Sequence, residues 1–140
     1  MNAYLLFACI ILCLFIYVKI FHSFKVHHVY GTVAKTPQQK EKGLMFRKYP
    51  LKKNEGMLFD MGYKINTLWM KNTYIPLDVL FLSEDMEVIG FIEDTKPLSL
   101  KTLKINKPST YVIEMNGNSV SLLNIRIGDK IIFHKKLKLS

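Results

Sequence analysis

Both cysteines, Cys9 and Cys13, fall in an apolar run at the front of the chain, so the rest of the sequence has none. That absence excludes disulfide staples and thiolate chemistry from the globular part. Spaced by four, the two sulfurs share a helix face and read as small apolar residues, with acylation or dimer cross-linking as lesser uses. Arginine is nearly missing too: Arg47 and Arg126 stand against 18 lysines. Nucleic-acid readers lean on the bidentate guanidinium, so the net charge of +9 argues for solvated lysine rather than a nucleic-acid partner. No Asn-x-Ser/Thr sequon occurs among eight asparagines. Also lacking are a Ser/His/Asp order, an H-x-x-x-H pair, paired cysteines and a phosphate loop, so no standard catalytic or metal constellation is present and no cofactor or metal is expected. No internal repeat or low-complexity tract appears.

Charge is absent from Ala3 to Val18, AYLLFACIILCLFIYV, which also contains no proline or glycine. Lys19 follows and can snorkel, while Ile20 and Phe21 continue the run. Nineteen helical residues reach about 28 Å, against roughly 30 Å of hydrocarbon in a bilayer. Without a basic start or a small-x-small cleavage site, the run reads as a retained anchor before it reads as a signal peptide. Residues 1–21 are therefore expected to form a single transmembrane helix, with the membrane contacted through residues 3–21. Lys19, Lys25, Lys35, Lys40 and Lys42 all follow the run, so the positive-inside bias favours a cytoplasmic β domain. Lys19 and Lys25 beside the span also suit anionic lipid headgroups.

Residues 22–32, HSFKVHHVYGT, read as a tether or first strand. Adjacent His27 and His28 would point to opposite faces of a strand, which disfavours a metal pair. Thr36-Pro37-Gln38-Gln39 predicts a helix opened by a capping box and running to about Leu44 or Phe46. Strands are predicted at Gly56–Met61, Leu68–Lys71, Val79–Ser83, Glu87–Ile92, Tyr111–Met115 and Lys130–His134. Asn118 is a candidate cap for a single helical turn to Leu123. Residues 94–108, with two prolines, read as a surface connection. The expected fold class is mostly β: a small compact antiparallel sheet or partly closed barrel over residues 33–134, with one or two short helices and a basic tail at 135–140.

The densest polar chemistry lies in WMKNTYIPLD, Trp69–Asp78. Asn72-Thr73 is turn chemistry, and Pro76 holds Ile75 extended. Asp78 opens the apolar run Val79–Leu82, where a carboxylate needs a partner. It either accepts hydrogen bonds from the Asn72–Thr73 turn or pairs with Lys71. Alternatively, Trp69, Lys71, Asn72 and Asp78 line a binding site that Arg47 approaches from the helix end. In that reading the tryptophan stacks on a planar or sugar-like group while Lys71 and Arg47 hold an anion. A small hydrolase or transferase using Asp78 and Lys71 is the enzymatic alternative. Met45, Met57, Met61 and Met70 read as pliable core filler rather than metal ligands.

GLMFR (Gly43–Arg47), GMLF (Gly56–Phe59) and WMKNTYIPLD, in this order and spacing, resemble domain-of-unknown-function family 192, also called uncharacterised protein family 0127. The likeness runs from about Val33 to about Phe133, with departures at Asp60 and Leu68. It implies a small β-rich domain, and, because bacterial members often carry export signals, it pulls against the cytoplasmic orientation. It brings no established activity. The functional expectation is thus a membrane-anchored binding or accessory module for a small anionic ligand, a glycan or a protein partner.

Overall fold

A computed structural model describes residues 2–21 and 24–136. His22 and Ser23 of the expected tether, and the basic tail beyond Lys136, lie outside the described residues.

Helix α1 covers Ala3–Phe21, with side chains described through Lys19. Counted on the described residues, no helix is long and apolar enough to cross a membrane. Its large apolar side chains, Leu5, Phe7, Ile10, Leu12 and Phe15 among them, are exposed rather than buried against the domain.

Six strands follow: β1 (Val26–Ala34), β2 (Glu55–Lys64), β3 (Leu77–Leu82), β4 (Val88–Ile92), β5 (Ser109–Asn116) and β6 (Lys130–Lys135). They form one sheet in the order β4-β3-β5-β2-β1-β6. Its edges meet at one end. Val88 N–H donates to the Asp129 carbonyl at 2.8 Å, Gly128 N–H to Val88 at 2.8 Å and Ile131 N–H to Met86 at 2.9 Å. The sheet thus curls into a half-barrel, which satisfies edge groups that an open sheet would leave bare.

Two differences from the sequence reading have physical causes. The sheet is mixed, because β1 runs parallel to both β2 and β6 while β2–β5, β3–β5 and β3–β4 are antiparallel. Hydropathy alternation is the same in either direction, so it carries no information about strand polarity. The expected strand at Leu68–Lys71 does not form. Only Leu68 pairs, through an isolated bridge to Leu103, and a turn at Lys71-Asn72 ends the extended path. The first strand starts at Val26, within the segment 22–32 read as a tether or first strand, and continues to Ala34 between β2 and β6. Gly31 shows how tightly β1 and β2 meet: a Cβ there would collide with the Gly56 carbonyl oxygen.

Parallel neighbours need a crossover, and the β1–β2 crossover contains helix α2 (Pro37–Lys42). Its capping box forms as expected: Gln39 N–H donates to Thr36 Oγ1 and Thr36 N–H to Gln39 Oε1, both at 3.1 Å. The helix ends earlier than expected, at Gly43, whose φ of 46° is a left-handed value that glycine adopts at little cost. Asn116 anchors the rest of the crossover by exchanging hydrogen bonds with both backbone groups of Leu51, at 2.7 and 2.8 Å.

Alternating side chains give the sheet two cores. Val29, Leu80, Leu82, Ile113, Met115 and Ile131 fill the concave face, closed by Val120 of helix α3 (Ser119–Leu123) and by Ile125. Phe59, Val79, Phe81 and Val112 pack on the convex face beneath Leu68, Leu103 and Ile105. A third cluster joins Leu44, Leu51, Met70, Ile75 and Leu77. Both faces of β3 are covered, so every one of its residues is buried.

Candidate functional site

The expected cluster of Arg47, Trp69, Lys71, Asn72 and Asp78 divides into separate places. Asp78 is fully buried. Its Oδ1 accepts from Asp94 N–H at 2.7 Å and Asn118 N–H at 3.2 Å, and its Oδ2 from Val120 N–H at 2.8 Å. Those donors come from the segment after β4 and the start of α3, not from the Asn72–Thr73 turn. No ion pair links Asp78 with Lys71 among the described residues. The carboxylate therefore ties three segments together and supplies the α3 cap, since Asn118, at the N-cap position, makes no side-chain bond there. A hydrolytic or transfer role for Asp78 and Lys71 together loses its geometric basis.

Lys71 instead places its ammonium 4.9 Å from the centroid of the Trp69 ring. Asn72 adopts a left-handed conformation with φ 53°, and its carbonyl accepts from Phe46 N–H at 2.8 Å. The turn is closed by Thr73, whose hydroxyl donates to the Lys71 carbonyl at 3.2 Å. Arg47 lies exposed, donating through Nε to the Tyr49 carbonyl at 2.9 Å.

Of the five, only Trp69 borders a cleft of about 320 Å³ on the β domain. One wall is the end of α2 and the following turn, Lys40–Met45. The other is the stretch Thr67–Trp69 with Thr73, and the floor is formed by Phe59, Met61 and Glu114 on β2 and β5. Thus the crossover required by the parallel β1–β2 pair supplies one wall, and the broken strand at 68–71 supplies the other.

Glu114 is the residue that the sequence reading missed. Strand parity turns it to the convex face with Val112, and its register partners are Met57 on β2 and Val79 on β3. Its Oε2 is buried without a hydrogen-bond partner. A Cβ placed on Gly43 would come within 3.4 Å of that oxygen and of the Phe59 ring, so the glycine also leaves room above the carboxyl. Burial among apolar neighbours raises the pKa of Glu114 from 4.5 to about 7, because nothing nearby offsets the lost hydration of the charged form. The signal was present in the sequence: one acid within YVIEM, on the same parity as Val112.

A third buried carboxylate, Asp129, is fully bonded. It accepts from Lys25 N–H and Arg126 N–H, both at 2.9 Å, and contacts His27 Nε2 at 2.7 Å. Burial pushes its pKa up, but the Lys25, His27 and Arg126 hydrogen bonds outweigh this and hold it below its ordinary value. Nearby, His28 Nδ1 and His134 Nε2 lie 2.8 Å apart on the exposed outer side of β1 and β6. No group of three or more metal-ligating side chains assembles among the described residues.

A search of curated proteins finds no match. Two crystal structures share this fold. One is a protein from Sinorhizobium meliloti 1021 described as a candidate transcription regulator, 36% identical, with a TM-score of 0.67 over 70% of this chain and 76% of its own. The other is a protein of unknown function from Novosphingobium aromaticivorans DSM 12444, 37% identical, with a TM-score of 0.67 over 71% of each chain. The family model described as DUF192, "Uncharacterized ACR", matches residues 19–133, and with the three motif blocks all lying inside that match, the chain belongs to domain-of-unknown-function family 192.

Proposed function

We propose that this protein is a membrane-anchored binding module in which the apolar helix α1 attaches the chain to a bilayer and the cleft over Glu114 takes a small ligand that carries an anionic group. The observation that carries the binding reading is the floor of the cleft. A buried polar group without a partner is costly, so native structures keep few of them, and Glu114 is the one that lies on the floor of an open cleft. Lys40, Lys42 and Lys64 line the same cleft against the single additional acid Glu41, which gives its outer part an attraction for anions. Trp69 and the methionines offer apolar contact area for the remainder of a ligand.

The anchor reading draws on different features. An apolar helix with side chains exposed on all faces has no amphipathic stripe with which to dock on its own domain. Lys19 at its carboxyl end and Lys25 just beyond it suit the headgroup region and a cytoplasmic β domain.

Two experiments test the two halves separately. Carbonate extraction with protease protection should leave the full chain in the membrane fraction and the β domain digestible from the cytoplasmic side; release into the supernatant would refute the anchor. For the cleft, the nanodisc-embedded chain is titrated with inorganic phosphate and small carboxylates while the fluorescence of the single tryptophan is followed. Saturable change that is lost in a Lys40→Ala/Lys42→Ala/Lys64→Ala variant supports the site, and a flat response refutes it.

A further inference from the structure

The two ends of the cleft carry opposite chemistry. The floor offers a carboxyl with a free, buried oxygen, while its charged outer lining is mostly lysine. A simple anion satisfies the lysines and leaves Glu114 unanswered, or repels it. A simple amine satisfies Glu114 and is repelled at the entrance. We propose that the cleft takes a small zwitterion, a primary amine joined to a carboxylate or phosphate, with the ammonium on Glu114 and the anion toward Lys40, Lys42 and Lys64. This rests on the cleft being a ligand site, as proposed above, and names the class of ligand.

Several features agree with that orientation. An ammonium supplies three donors where the protein supplies none to Oε2. Its charge restores the ionised form of the carboxylate, since an ion pair made away from water is strong when its hydrogen bonds are also made. Trp69 already attracts one cation, the Lys71 ammonium, so the aromatic wall suits positive charge. The cleft volume of about 320 Å³ corresponds to about ten water-sized groups, which matches a compact metabolite rather than a polymer. Gly43 keeps the space above the carboxyl open, because a side chain there would point at Glu114 Oε2.

Proton linkage gives the orientation a sign. The charged groups lining the cleft are Lys40, Glu41 and Lys42 from α2 and Lys64 from β2, while β3 presents Val79 at the register of Glu114. An ammonium selects ionised Glu114, so affinity should climb as pH rises toward about 7 and then level. A ligand that instead accepts a hydrogen bond from protonated Glu114 would bind more tightly as pH falls.

The test uses matched probes on the full chain in nanodiscs, followed by isothermal titration. O-phosphoethanolamine and β-alanine carry both groups; ethyl phosphate and propionate lack the amine; ethylamine lacks the anion. The zwitterions should bind roughly tenfold tighter than either half, with the rising pH profile. Glu114→Gln should erase the advantage of the zwitterion over ethyl phosphate. Equal affinity for zwitterion and anion, an unaffected Glu114→Gln variant, or a falling pH profile overturns the zwitterion and leaves the anion cleft standing. Absence of binding by every probe overturns both.

Discussion

Asp78 and Glu114 are both buried carboxylates on adjacent strands of one sheet. Asp78 pairs in register with Met115, and Glu114 with Val79, so the two lie one step apart and face opposite sides. Asp78 receives three backbone N–H groups. Glu114 has an oxygen that receives nothing. Similar burial therefore produces two different objects: a cross-brace whose desolvation is offset by hydrogen bonds, and a chemically open group at the bottom of a cleft. Charge and burial alone do not distinguish them. The supply of donors does, and it follows from what covers each face. Over Asp78 lie loop and helix-start backbone, rich in free N–H groups. Over Glu114 lie side chains and a glycine.

Removing the brace should have the largest effect. Asp78→Ala strands three backbone donors and should cost about 3 kcal/mol or more, read by urea unfolding near pH 7. A loss of less than about 1 kcal/mol would mean that the donors find other partners, and the contrast with Glu114 would collapse.

Glu114 should behave in the opposite sense. Its folded pKa of about 7 exceeds the ordinary 4.5, so the folded state holds the proton longer and stability falls as pH rises between those values. The total is on the order of 3 kcal/mol, fully absent below pH 4.5 and fully present above about 7. Glu114→Gln cannot ionise, so its stability relative to the parent protein should climb across that window. A constant difference between the two would show that Glu114 is solvated or paired.

Asp129 extends the comparison as a third buried acid with donors. Its depressed pKa gives stabilisation that is present above its ordinary value of 3.8 and lost as pH falls through the folded value. Asp129→Asn should lower stability at neutral pH by about 1–2 kcal/mol, with the difference from the parent protein narrowing in acid. Thermal melts from pH 7 down to pH 3 check the sign, and a difference that widens in acid would contradict it.

The smallest change is expected at the rim. Lys71→Ala removes an exposed cation–π contact and should cost about 0.5–1 kcal/mol, with a measurable shift in Trp69 emission. A loss as large as that for Asp78→Ala would place Lys71 in the brace after all.

Much of the fold was legible in the sequence because it is written in local pattern. The capping box at Thr36–Gln39, the core strands and the turn before α3 each follow from short-range sterics and alternation. The strand at 68–71 was misread because Trp69 and Lys71 do alternate with buried Met70, yet only Leu68 finds a pairing partner. Strand pairing is a property of what lies alongside. The site was read less well for the same reason. The motif Trp69–Asp78 concentrates polar residues in sequence, but Asp78 passes beneath the sheet, Arg47 turns outward, and only Trp69 and Thr73 of the motif reach the cleft.

What the sequence determined by itself was the β class, the first helix and its apolar character, the lack of cysteine in the β domain and the family. These depend on composition and on spacings of a few residues. What only the tertiary structure decided was strand direction, the closing of the sheet edges, and which buried acid is satisfied. Those depend on residues far apart in the chain: Asp78 meets donors 16 to 42 positions away, whereas Glu114 lies beneath α2 and Gly43 with no donor brought to its free oxygen. A hydrogen bond is decided by which atoms arrive within reach, and in this chain folding alone brings them there.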